Sequence, residues 1–111
     1  RSFFPFIITV ADGNTKLTND HSAEGFVADT YPVICTEIGF CLENEKGAHI
    51  PVISTDVYGH HITEYFEKKG ISFTVWCFDT DWSPTLIDDW NFTPSTQGRF
   101  FKEYLQKKAA E

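Results

Sequence analysis

The chain has 111 residues, 41% of them hydrophobic, with sixteen acidic against nine basic side chains and a net charge of -7. That length makes one small domain or part of a larger one, and the apolar share is enough for a core. The acidic balance argues against nucleic acid or an anionic membrane surface as partner, because both want clustered Lys and Arg, and no apolar run approaches the ~18 residues of a membrane helix.

The chain opens at Arg1 rather than Met and shows no signal peptide, so its natural N-terminus is expected to lie upstream. Residues 1 to 11, RSFFPFIITVA, are apolar and β-prone and predict a strand; ADGNTKLTND is a polar loop. SAEGFVADT (22 to 30) predicts a short helix. YPVICTE (31 to 37) is apolar without polar alternation, the pattern of a strand covered on both faces in a parallel sheet. Residues 38 to 53, with Gly39, Gly47 and Pro51, read as a long loop.

STDVYGHHITEYFEKKG carries the marks of a complete helix. Ser54 or Asp56 can cap its start, Tyr58, Ile62, Tyr65 and Phe66 share one face, Lys68 and Lys69 suit its negative end, and Gly70 suits a left-handed stop. ISFTVWCFD (71 to 79) is again a strand. After the loop TDWSPTLIDDWNFT, Pro94 fits the first turn of a helix over roughly 94 to 108, with Phe100, Phe101, Tyr104 and Leu105 as its stripe. The order β-(α)-β-α-β-α implies crossovers and parallel pairing, hence an α/β fold.

Cys35, Cys41 and Cys77 form an odd set without CxxC spacing. Two buried strand thiols plus a loop thiol is the plain reading, with Cys41 as the exposed one; a single disulfide and a zinc site are the alternatives. His60 and His61 sit on the predicted helix as solvent-facing or packing residues.

In parallel α/β sheets, ligands bind at the carboxyl ends of strands. Thr36-Glu37 ends one strand and Trp76-Cys77-Phe78-Asp79 ends the next, which places Glu37 and Asp79 near one rim. From position alone Glu37 is equally a salt-bridge or capping residue. Gly39 then lets the backbone leave the rim.

PVICTEIGF, followed one helix later by GISFTVWCFDTDWSPTLIDDWNFTPSTQGRFFKEYL, resembles the seventh and eighth βα units of glycoside hydrolase family 5, the cellulase and mannanase group, over residues 24 to 107. The resemblance implies the C-terminal portion of a (β/α)8 TIM barrel, about its last two to three βα units. It implies hydrolysis of β-glycosidic bonds with retention, no cofactor, a β-linked polysaccharide or oligosaccharide as partner, and an extracellular or periplasmic location. Glu37 matches the family nucleophile, and Trp76 matches the Trp that stacks under the sugar. Trp82, in the following loop, either lines the cleft or covers the rim.

The acid/base glutamate of the family, in an Asn-Glu pair ending the fourth strand, has no counterpart, and RSFFPFIITV lacks the His and Tyr of the sixth strand. The segment is therefore expected to be inactive by itself and to need the missing N-terminal barrel segment. A non-catalytic sugar-binding or structural α/β module is the alternative. FDTDWSPTLID also resembles the Asp-x-Asp start of haloacid-dehalogenase-type phosphatases, with Asp79 and Asp81 in that role, but the spacing to Thr85 is too long and too little chain follows.

Overall fold

The computed structural model describes residues 28–45, 51–52 and 54–111. The strand expected over 1 to 11 and most of the helix expected at 22 to 30 lie outside the described residues. The elements run β1 (Ile34–Ile38), β2 (Cys41–Leu42), β3 (Pro51–Val52), α1 (Thr55–Lys69), β4 (Ser72–Val75) and α2 (Thr96–Ala109). This is a mixed α/β arrangement. β1 and β4 pair in parallel across α1, as the alternation of strand and helix patterns requires.

Helix α1 forms where its caps dictate. The Ser54 side chain accepts from the Asp56 amide, and Gly70 ends the helix at φ 65°, where a Cβ would be costly. The cap contributes about 1 kcal/mol. Tyr58, Ile62, Tyr65 and Phe66 are all buried, as their spacing predicts. They pack with Cys35 and Ile38 of β1, Phe40, Val52, Ile71 and Phe101 into one core. Full burial of a side chain such as Phe66 contributes ~2 to 3 kcal/mol. Tyr58 meets Phe40 at 5.3 Å between ring centroids, and burial pushes its phenol up to about 12.

Several expectations are corrected. The 38 to 53 stretch is not all loop, because β2 and β3 pair in parallel within it. β4 stops at Val75, four residues short of the predicted end. Pro94 precedes α2 rather than opening it: Ser95 is the cap, its side chain accepting from the Gly98 amide, and Pro94 bridges Ile87 instead. Cys41 is buried and the half-buried loop thiol is Cys77; none of the three cysteines is in a disulfide. On α2, Phe101 is buried but Leu105 is 64% exposed.

Within this chain's described residues β1 is covered on one face only. Cys35 and Ile38 are buried, whereas Ile34, Thr36 and Glu37 are exposed. Two consecutive outward residues break the period of 2 that a regular strand obeys. The register explains it: Ile34 pairs Ser72 and Cys35 pairs Phe73, but Ile38 pairs Val75, so β1 carries an extra residue between Cys35 and Ile38. This is a β-bulge, and it leaves both Thr36 and Glu37 on the face away from the helices.

Candidate active site

The bulge places Glu37 at the carboxyl end of β1, and β4 delivers Trp76 to the same end. The Trp76 amide donates to the Ile38 carbonyl at 2.7 Å, extending the ladder one residue past Glu37. The Thr74 hydroxyl donates to the Thr36 carbonyl, filling the gap in the ladder that the bulge opens. Glu37 and Trp76 are thus brought to one edge by adjacent parallel strands. The Glu37 charge also reaches the Cys77 thiol, which is held above its ordinary value by burial first and then by the carboxylates of Asp79 and Glu37.

Trp76 is fixed on three sides. Its indole Nε1 donates to the Trp82 carbonyl at 3.1 Å, and its ring stacks with Trp82. Its carbonyl accepts from Gln97 Nε2 at 2.6 Å. With its only donor satisfied inside the protein, the indole has faces and edges left to offer a ligand, not a hydrogen bond. The Trp82 ring is exposed, in keeping with a residue at the rim.

Asp79 does not stand free beside Glu37. One carboxylate oxygen accepts from the Asp81 amide at 2.7 Å and the Trp82 amide at 3.1 Å, building the turn that carries Trp82. These bonds hold its carboxyl below the usual range. Farther along, Asp89 accepts from the amides of Asn91 and Thr93 and closes a second turn. Phe92 sits there at φ 66°, a strained position for a bulky side chain, with its ring stacked on Phe78. His60 is exposed, its ring edge-on to Phe100 at 5.2 Å, and half-buried His61 packs on the same helix.

The sequence reading missed Gln97. It lies on α2, 1% exposed, where a polar helical residue is ordinarily solvated. Its Oε1 accepts from the Phe40 amide at 2.8 Å, and its Nε2 reaches the carbonyls of Trp76 and, at 3.1 Å, Pro84. One amide therefore ties the exit from β1 to the exit from β4. Leaving such groups buried and unpaired costs about 1 to 3 kcal/mol each. Gly39 makes room for this knot. A Cβ there would lie 2.6 Å from Pro84 Cγ and 3.0 Å from the Trp76 carbonyl oxygen.

Two open volumes flank the strand ends. A cleft of about 590 Å³ runs between the β1–β2 connection and the 80 to 95 loop, with Glu45, Asp81, Asp88, Asp89, Trp90 and Gln97 in its wall; Glu37 does not line it. A groove of about 940 Å³ opens along β4 and α2, walled by Phe73, Val75, Phe78, Phe92, Phe101 and Leu105.

No protein-family model and no curated protein matches the chain. Solved structures do. The chain is similar to the native form of beta-glucanase SdGluc5_26A from Saccharophagus degradans, with 57% identity and a TM-score of 0.70 over 76% of this chain and 25% of that one. The same beta-glucanase in complex with cellotetraose matches at 56% identity and a TM-score of 0.70, with the same coverage. These matches bear out the resemblance to glycoside hydrolase family 5 read from the sequence. The chain spans about a quarter of the length of the glucanase it matches.

Proposed function

We propose that the chain is the C-terminal segment of a retaining β-glycoside hydrolase acting on β-glucan, the last part of a (β/α)8 barrel. Glu37 is its nucleophile, Trp76 the platform under the sugar next to the cleaved bond, and Trp82 the support of that platform. The observation that carries the reading is the β1 bulge, which turns Glu37 outward at the strand end where Trp76 leaves β4. Retaining hydrolysis needs a carboxylate fixed under the anomeric carbon, ~5 Å from a second carboxyl that serves as acid and then base. A carboxylate rooted in a strand keeps that position better than one on a loop. The second carboxyl belongs to the rest of the barrel, since Asp79 is committed to its turn. The similarity to a beta-glucanase supports the substrate class. An enzyme of this kind meets its polymer outside the cytoplasm, hence an extracellular or periplasmic location.

The test is a chimera in which the matched residues of this chain replace the corresponding quarter of beta-glucanase SdGluc5_26A. The chimera should hydrolyse β-glucan. Glu37→Gln should remove activity by orders of magnitude and leave binding largely intact, because an amide cannot form the glycosyl ester. In Glu37→Ala, added azide should restore turnover by attacking where the carboxylate did. A folded but inactive chimera, or a Glu37→Gln variant within threefold of it, would overturn the proposal.

A further inference from the structure

We infer that Gln97 is a positioning residue: its buried amide sets the separation between the Glu37 strand end and the Trp76 strand end, and with it the seat of the sugar over the nucleophile. The inference rests on the catalytic reading above and goes beyond it, because Gln97 lies in the helix after the site, is 1% exposed and has both ends of its amide bonded to main chain.

The chemistry of the knot explains the residue type. The Phe40 amide needs an acceptor and the Trp76 carbonyl a donor, while the Pro84 carbonyl, already bonded to the Cys77 amide at 3.0 Å, takes a second. A carboxamide supplies one acceptor and two donors on a planar, rigid head. Glutamate would set an acceptor against two carbonyls, leucine would satisfy nothing, and asparagine is a methylene too short. The root of the side chain is fixed as well. Ser95 caps α2 through the Gly98 amide at 3.0 Å, and a Cβ at Gly98 would overlap the Leu86 carbonyl oxygen. Gln97 therefore projects from a helix start that cannot shift without moving the 77 to 95 loop.

The consequence falls on Trp76. Its amide is bonded to Ile38, one residue past Glu37, and its carbonyl to Gln97. Without the amide, the Trp76 carbonyl loses its inner anchor, and the peptide that carries the indole is free to tilt relative to β1. A platform displaced by about 1 Å misplaces the reacting carbon and costs on the order of 100-fold in rate at worst.

The test is a double-mutant cycle in the chimera, with kinetics on β-glucan read well below each variant's melting temperature. Gln97→Leu should lower kcat/KM about tenfold or more, mainly in kcat, and Gln97→Asn should not restore it. In a Trp76→Ala background, Gln97→Leu should add less than about threefold, since the group it positions is gone. A role in folding alone would lower the melting temperature and leave the two backgrounds with equal rate factors. Activity of Gln97→Leu within threefold of the chimera, or equal factors in both backgrounds, overturns the inference. Where Gln97→Leu gives no cooperative melt, Gln97→Met carries the same cycle, and failure of both to fold assigns Gln97 to the scaffold instead. Glu37→Gln separates the two readings. If it stays active, the catalytic reading fails; if it is dead while Gln97→Leu is unaffected, only the positioning role fails.

Discussion

The indole of Trp76 donates to the main-chain carbonyl of Trp82 at 3.1 Å while the two rings stack with centroids 5.9 Å apart and 28° between planes. Trp82 thus holds Trp76 twice, by backbone and by ring. Trp76→Ala should raise KM and lower kcat together, with kcat/KM falling about 100-fold, because a positioning surface is lost. The pH optimum should stay in place, since no titrating group is removed. Trp82→Ala keeps the carbonyl and should cost less. Steady-state kinetics across pH on the chimera decide it: a shifted profile with unchanged KM contradicts the stacking role.

Cys77 gives a readout of Glu37 that does not depend on activity. Burial and the charges of Asp79 and Glu37 raise the thiol, and a thiol reacts through its thiolate. Glu37→Gln removes one negative charge, so more thiolate is present at a given pH. Alkylation of Cys77 by iodoacetamide near pH 8, followed by peptide mass mapping, should be slow in the chimera and faster in the variant. Equal rates would mean that the two groups are not neighbours.

How much of this was legible in the sequence depends on the kind of signal. The caps of α1 were, because Ser54 and Gly70 act through local geometry that their residue types report. The apolar face of α1 was, because it repeats. The β1 bulge was not: a run such as Val33-Ile34-Cys35 has no alternation against which an extra residue could show. The burial of Cys41 was hidden because its strand is two residues long and pairs with another two-residue strand at Pro51–Val52. Gln97 was hidden because its partners are main-chain groups of three distant segments, and no spacing in the sequence encodes them. The strand ends that carry Glu37 and Trp76 were legible from position, their roles only from the family motif, and the structure adds why they sit at one edge.

Gly39 and Gly98 should resist substitution for different reasons than Gly59. At Gly98 a Cβ meets the Leu86 carbonyl, and at Gly39 it meets Pro84 Cγ and the Trp76 carbonyl, so main chain must move. At Gly59 the obstacle is the Phe100 ring, the end of a half-buried side chain that can turn aside. Alanine at Gly98 should cost more than alanine at Gly39, each at or above ~1 to 3 kcal/mol. Alanine at Gly59 should be mildest, because it also gains helix propensity of about 1 kcal/mol. Urea melts of the three chimera variants rank them, and a Gly98 variant as stable as the Gly59 variant would refute the close approach.

Acid should loosen the 77 to 95 loop ahead of the core. Asp79 is held low by the Asp81 amide first and Asp89 by Thr93 first. A carboxylate with a depressed folded pKa stabilises above its unfolded value, near 3.9, and that contribution is lost as pH falls through the folded value. Carboxyl titrations followed by NMR should place both midpoints below the ordinary aspartate value. Asp79→Ala should free the Trp82 turn at neutral pH while sparing α1. Midpoints at or above the ordinary value would remove the assigned role of these turns.

Residues 1 to 111 expressed alone should neither hydrolyse β-glucan nor behave as a well-packed monomer. Two arguments meet here. The chemical one counts groups: retention needs two carboxyls in register, and the described residues supply Glu37, with Asp79 bound to its own turn. The physical one concerns surface. Among the described residues the β1–β4 sheet has two strands, and two strands cannot close on themselves. Ile34 on β1 is exposed, Phe78, Trp82, Trp90 and Phe92 crowd the loop after β4, and the groove along β4 and α2 is walled by Phe73, Val75, Phe101 and Leu105. Apolar surface of this kind on an open sheet edge favours association over a monomer. The net charge of -7 slows precipitation but satisfies no strand edge. Size-exclusion chromatography should show oligomers, and an environment-sensitive dye should bind strongly and be released when the remaining three quarters of the glucanase is added as a separate polypeptide. A compact monomer with a cooperative melt and little dye binding would refute the open-sheet argument, and β-glucan cleavage by the isolated chain would reveal a second catalytic carboxyl within it.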